Sequence, residues 1–207
     1  GLMSVEAEKL IRLGNTRDDF HQLEDCDWVA EAVVERLDIK QALYLQLNDI
    51  CKGTTIITSN TSTIPISLLT KGMPKKFCER FAITHFFNPV RFMRLLELVR
   101  GEFTRDDVIN TLDMFSETML GKGVVSCSDT PGFLANRVGV FAIQCALYKA
   151  FKYKLSPTEA DAFFGRPLGL PKTGVFGLYD LIGIDLMADV VKSLVSILPE
   201  NDAFHKY

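Results

Sequence analysis

Trp28-Val29-Ala30-Glu31-Ala32-Val33-Val34 is an apolar run broken only by Glu31, the pattern of a strand buried on both faces. Helix-spaced apolar residues follow at once. Ile39, Leu43, Leu47 and Ile50 share one face of a segment spanning Asp38–Lys52, and Gly53 is a natural stop. Thr54–Ser59 is β-branched and reads as the next strand, after which Asn60–Thr63 is a polar loop and Ile66–Leu69 a short helix. Upstream, Lys9–Gly14 is expected as a strand and Asn15–Leu23 as a short polar turn and helix. Downstream, Asp106–Leu120 reads as a helix and Lys122–Cys127 as another strand. Strands alternating with helices predict an α/β unit with a mostly parallel sheet covered on both faces.

A second strand pair lies between these elements. Phe81-Ala82-Ile83-Thr84 is an apolar run closed by His85, Asn88-Pro89 turns the chain, and Leu95-Leu96-Glu97-Leu98-Val99 is the next strand. Folding back antiparallel about Arg91 sets His85 opposite Glu97 as cross-strand neighbours. A carboxylate beside an imidazole holds the proton on one ring nitrogen and leaves the other as a general base. A histidine satisfied structurally on a sheet would look the same locally.

The character changes near Asp129-Thr130-Pro131-Gly132. Thr130 can cap a helix whose first position is Pro131. From Phe133 to Lys152 the spacing is helical, with Leu134, Val138, Phe141, Cys145 and Tyr148 on one face. Helical segments continue at Pro157–Phe164, Val175–Ile182 and Asp185–Leu198, joined by turns such as Arg166-Pro167-Leu168-Gly169-Leu170-Pro171. We therefore divide the chain into an α/β domain, 1–128, and an all-α domain, 129–207.

The 207 residues carry a net charge of −3 and are 47% hydrophobic, enough for a sizeable core and with no bias toward nucleic acid. No run reaches the ~20 apolar residues that span a bilayer. Five cysteines without a Cys-x-x-Cys pair or metal-ligand spacing point to reduced thiols in a cytoplasmic setting, with no metal. A small-molecule partner is expected.

In open parallel sheets, ligands bind beyond the carboxyl ends of the strands. Glu35, Lys40, Asn60, Ser62, His85 and Asn88 fall along that edge. Some have a plainer reading too: Glu35 and Lys40 as a solvated helix start and Ser62 as an N-cap; Asn136, inside the first helix of the second domain, is a further candidate whose plainer reading is a polar contact between helices.

The chain resembles the 3-hydroxyacyl-CoA dehydrogenases of fatty-acid β-oxidation, especially the dehydrogenase part of multifunctional bacterial oxidation proteins. The resemblance rests on five motifs, in family order over nearly the whole chain. These are Val33-Val34-Glu35-Arg36-Leu37, Ser59-Asn60-Thr61-Ser62, His85-Phe86-Phe87-Asn88-Pro89 with Glu97, Asp129-Thr130-Pro131-Gly132-Phe133 with Asn136-Arg137, and Gly177-Leu178-Tyr179-Asp180 with Gly183-Ile184-Asp185. It implies a Rossmann-like domain followed by a helical domain that binds substrate and dimerises. It also implies NAD as cofactor and oxidation of L-3-hydroxyacyl-CoA to the 3-oxo product. His85 would be the base and Glu97 its orienting partner. Ser62 and Asn136 would hold the reacting end of the acyl-CoA, with Asn88 supporting His85. Glu35 and Lys40 would approach the nicotinamide-side ribose and Asn60 the carboxamide.

The chain departs from the family in one respect. It has no Gly-x-Gly-x-x-Gly turn to seat a pyrophosphate, and no acidic residue about 20 positions after one. The expectation is a piece of a longer protein, lacking the first βαβ unit and the closing helices, with Gly1 a cloning remnant. The piece itself would bind NAD poorly, and an enoyl-CoA hydratase domain could be fused in the parent. A related hydroxy-acid dehydrogenase and a non-catalytic acyl-CoA-binding or assembly domain are the alternatives.

Overall fold

A computed structural model describes residues 5–170 and 172–206. Gly1, Pro171 and Tyr207, on which three of the expectations above touch, lie outside the described residues. Five strands form one sheet in chain order: β1 (Trp28–Glu31), β2 (Ile56–Ser59), β3 (Phe81–Phe86), β4 (Leu95–Arg100) and β5 (Gly123–Cys127). The pairs β1–β2, β2–β3 and β4–β5 are parallel, while β3–β4 is antiparallel, as its short turn requires. Around the sheet lie α1 (Val5–Glu8), α2 (Leu37–Ile50), α3 (Ile66–Leu69), α4 (Lys75–Cys78) and α5 (Asp106–Thr118).

Alternation along the strands builds two cores. Ile57, Phe81, Ile83 and Val99 pack with Tyr44 and Leu47 of α2, with Phe77 and with Phe133. The intervening Ala82 and Leu98 pack with Val108 and Leu112 of α5. Both faces are thus covered, and removing a side chain such as the buried Leu47 would cost about 2–5 kcal/mol. His85 and Glu97 share the parity of Ile83 and Val99, which places both on the α2 face.

The helical part comprises α6 (Ala135–Lys152), α7 (Pro157–Phe163), α8 (Phe176–Ile182) and α9 (Ile184–Ile197). Ser156 and Glu159 form a reciprocal capping box on α7. Asp161 accepts the N–H groups of Val175, Phe176 and Gly177 at the start of α8. Only glycine fits at Gly174, where φ is +64° and a Cβ would stand 2.5 Å from Asp161.

Several expectations need correction. Lys9–Gly14 is not a strand; it is an exposed turn and extended segment, with no strand among the described residues paired to it. The strand expected over Trp28–Val34 ends at Glu31 and lies at the sheet edge, with Ala32 and Val34 exposed. Thr130 does not cap α6. Gly132 and Phe133 take positive φ, +73° and +46°, which delays the helix to Ala135. The face Leu134–Val138–Tyr148 is exposed, and α6 buries Val140, Ala146 and Ala150 instead. Helix α4 carried too few residues to show a period, although Pro74 marks its start.

Candidate active site

The register puts His85 directly opposite Glu97, and the two side chains meet. His85 Nδ1 lies 2.6 Å from Glu97 Oε2, with the imidazole almost wholly buried and the carboxylate fully so. Burial alone would raise the Glu97 carboxyl. The His85 imidazole, with the backbone N–H groups of Ala135 and Leu134, outweighs it and holds the carboxyl below the ordinary glutamate range. An ionised carboxylate can only accept, so Nδ1 carries the proton and Nε2 presents its lone pair. Ser62 Oγ stands 3.1 Å from that nitrogen and donates to it.

Glu97 also joins the two parts of the fold. Its Oε1 accepts the N–H groups of Leu134 at 2.9 Å and Ala135 at 2.6 Å, so it serves as the cap that Thr130 does not provide. An anion there also suits the positive end of the 18-residue helix α6. Asp129 caps α3 in the same way, through the N–H groups of Ile66 and Ser67. The Phe87 and Phe133 rings flank the imidazole, with centroids 4.5 and 5.8 Å away. Cys127 donates to Glu97 Oε1 at 3.8 Å, and burial next to that anion pushes its thiol up to about 11.

Beyond the ends of β1 and β2, Glu35 gathers the Ser62 loop. Its Oε1 accepts the Thr61 hydroxyl, the Ser62 N–H at 3.3 Å and the Thr63 hydroxyl at 3.3 Å. Its Oε2 lies 3.2 Å from Lys40 Nζ. Asn60 Oδ1 accepts the Phe86 N–H at 2.8 Å, tying the loop to the end of β3. His85, Glu97, Ser62, Glu35 and Lys40 are therefore linked through direct contacts, with Asn60 tied to the neighbouring end of β3. Asn136 stands in the first turn of α6, one residue past the amide that caps onto Glu97, and its side chain makes no hydrogen bond among the described residues. Asn88 is set apart: it is exposed at the cis Asn88-Pro89 turn, with no hydrogen bond to His85.

Sequence reasoning missed Glu31, Tyr44 and Ser59, which form a buried cluster beneath Lys40. The available signal was an acid in an otherwise apolar strand. It also missed Cys127, which the pairing of β5 with β4 brings to Glu97, and Phe133, which enters from the turn before α6. Among the described residues no group of three His, Cys, Asp or Glu could hold a metal ion, and no helix is long and apolar enough to cross a membrane.

Comparison with known proteins finds relatives over both parts of the chain. Residues 1–130 match the family model for the 3-hydroxyacyl-CoA dehydrogenase NAD binding domain, and residues 132–206 match that for the C-terminal domain. A Rickettsia prowazekii protein named as a fatty acid oxidation complex trifunctional enzyme is 45% identical, over 95% of this chain and 27% of its own length. A Deinococcus radiodurans protein named as a 3-hydroxyacyl-CoA dehydrogenase is 40% identical, over 98% of this chain and 58% of its own length. The crystal structure of Escherichia coli 3-hydroxybutyryl-CoA dehydrogenase superposes with a TM-score of 0.76 and 36% identity, over 86% of this chain and 37% of that one. The chain thus spans between about a quarter and three fifths of the length of these two curated relatives. With the two family models matching residues 1–130 and 132–206, on a Rossmann-like sheet and its helical partner, the chain belongs to the 3-hydroxyacyl-CoA dehydrogenase family.

Proposed function

We propose that the full-length protein carrying this chain oxidises L-3-hydroxyacyl-CoA to 3-oxoacyl-CoA with NAD, as a step of fatty-acid β-oxidation. One observation carries the reading: an ionised, buried Glu97 holds the Nδ1 proton of His85, and the free Nε2 faces Ser62 at 3.1 Å. His85 Nε2 takes the proton of the 3-hydroxyl, and the imidazolium that forms is stabilised by the adjacent Glu97 carboxylate. Positioned bases of this kind contribute about 10²–10⁴-fold. Ser62 turns its hydroxyl from Nε2 to the substrate oxygen when substrate displaces it. Asn136 supplies a second polar contact from α6, and the Phe87 and Phe133 rings keep water from the imidazole. Asn88, exposed beyond β3, borders the entrance.

NAD supplies the hydride acceptor for C3 when bound. The residues beyond the ends of β1 and β2 fit its nicotinamide half. Glu35, an accept-only carboxylate whose side chain is 41% exposed, suits ribose hydroxyls. Asn60 has its carbonyl oxygen engaged, leaving its NH₂ to donate to the carboxamide. Lys40 is buried and acts behind Glu35. The chain offers no glycine-rich cradle for the pyrophosphate, so on its own it binds NAD weakly and turns over little.

The same reading includes a homodimer contact through the exposed apolar face of α6, a fused hydratase domain in the full-length protein and a cytoplasmic setting suited to free thiols. The test compares 3-hydroxybutyryl-CoA and longer acyl-CoAs with free hydroxy acids, following NADH formation by the full-length protein. Turnover confined to the CoA thioesters supports the reading; faster turnover of free hydroxy acids overturns it.

A further inference from the structure

A second buried polar cluster lies outside the His85–Glu97 pair. Glu31 closes β1 and is 4% exposed, while Lys40 and Tyr44 on α2 are 1% and 0% exposed. Both oxygens of the Glu31 carboxylate are fully engaged. Oε1 accepts from Lys40 Nζ and from the Val33 N–H, each at 2.7 Å. Oε2 accepts from the Tyr44 hydroxyl at 2.6 Å and the Ser59 hydroxyl at 2.7 Å. Burial alone would raise this carboxyl, but Lys40, Tyr44 and Ser59 together hold it below its ordinary range.

Desolvating two charges is costly, and an apolar pair of similar volume would join helix to sheet equally well. The charges therefore need a purpose other than cohesion. Two routes lead from Glu31 toward Ser62. In the first, the Ser59 hydroxyl donates to Glu31 and its oxygen accepts the Thr61 N–H at 3.2 Å, while the Asn60 N–H bonds the Glu31 carbonyl at 2.8 Å. In the second, Glu31 directs Lys40 Nζ onto Glu35 Oε2, leaving Glu35 Oε1 for the Ser62 N–H and the hydroxyls on either side. The first route ends on Thr61, next to Ser62 in the loop, and the second on the amide of Ser62 itself, the residue whose hydroxyl meets His85.

We propose that Glu31 is a positioning residue for the His85 site: it anchors the Ser59–Thr63 loop from beneath and thereby sets Ser62 Oγ against His85 Nε2. The proposal rests on the reading of His85 as the base. Without the Glu31 charge, Lys40 has only Glu35 to pair with. The Glu35 carboxylate is then drawn inward, off the Ser62 amide, and the loop loses its register.

The experiment is a double-mutant cycle between Glu31→Gln and Ser62→Ala. It is read in two ways: by ¹⁵N NMR of the His85 ring in the histidine-labelled chain, and by kcat and KM in the full-length protein. Glu31→Gln should lower kcat about 10-fold, the loss of roughly one charge-assisted hydrogen bond, with KM for acyl-CoA within about twofold. It should also move the His85 Nε2 resonance in the same direction as Ser62→Ala, and the double variant should be no slower than Ser62→Ala alone. Effects that multiply, or an Nε2 resonance that Glu31→Gln leaves in place, would overturn the proposal. Should Glu31→Gln fail to fold, Ser59→Ala cuts the first route with the ion pair intact and is read by the same cycle. The NMR arm needs no turnover, so it tests the Glu31–Ser62–His85 coupling separately from the catalytic reading, which stands or falls on the His85 variants.

Discussion

Replacing Glu97 by Gln keeps the side-chain shape and removes the charge, and the neighbours dictate how the new amide sits. One oxygen of Glu97 faces two backbone N–H groups, those of Leu134 and Ala135, which can only donate. The other faces His85 Nδ1, which can donate or accept. A glutamine must therefore give its oxygen to α6 and its NH₂ to His85. The imidazole then has to accept at Nδ1, so its proton moves to Nε2, where the base lone pair is needed. The expected result is a kcat lowered about 10²–10⁴-fold with little change in KM, because the base is lost while the pocket remains. Charge-assisted hydrogen bonds become neutral ones at the Leu134 and Ala135 amides and at His85, a cost of about 1–3 kcal/mol, or a Tm lower by about 2–10 °C. Turnover of 3-hydroxybutyryl-CoA by the full-length protein measures the first, and calorimetry of the chain the second. ¹⁵N NMR of the labelled histidines reports the tautomer directly. A variant that keeps its proton on Nδ1, or loses less than about threefold in kcat, would refute the reasoning.

The remaining predictions address charge burial and the cofactor. Glu97 and Glu31 both have folded-state carboxyls below the ordinary value of 4.5, so the stability they contribute is fully present above that pH and is lost as pH falls through the lowered values. Urea unfolding should give a stability that drops below about pH 4.5, and drops less in Glu97→Gln; identical acid limbs would contradict this. Lys40→Met strands the buried Glu31 charge and should cost about 3–5 kcal/mol in urea unfolding, whereas a loss under about 1 kcal/mol would show the pair to be dispensable. Titration calorimetry of the chain alone should find NAD binding no tighter than about millimolar, since three missing pyrophosphate hydrogen bonds weaken affinity by at least ~10³-fold. Micromolar affinity would contradict it.

The parts of the fold readable from sequence are those set by local pattern. The register of β3 on β4 follows from a short turn at Asn88-Pro89 and two apolar runs that fold back antiparallel, and it delivers the His85–Glu97 contact. Helix α2 was legible because its apolar spacing is sustained over four turns. What escaped depends on distant parts of the chain. Glu31 looked like an interruption in an apolar run, because its partners Tyr44 and Ser59 lie 13 and 28 residues away. Lys40 was expected at the edge, beside the nicotinamide-side ribose or on a solvated helix start, whereas its ammonium is buried between two carboxylates. The start of α6 was misplaced because Thr130-Pro131 is a good local cap, while the observed cap comes from Glu97 across the domain junction. Lys9–Gly14 has strand-like residues but no strand among the described residues paired to it, and pairing rather than propensity makes a strand.

The most direct measurement of the central claim is the rate of L-3-hydroxybutyryl-CoA oxidation by the full-length protein and by its His85→Gln variant, at saturating NAD and matched folding by circular dichroism. Glutamine leaves a polar side chain between Glu97 and Ser62 but cannot take a proton from an alcohol. The account predicts a kcat reduced by at least about 10²-fold. A His85→Gln variant that turns over at the rate of the unmodified protein would contradict it.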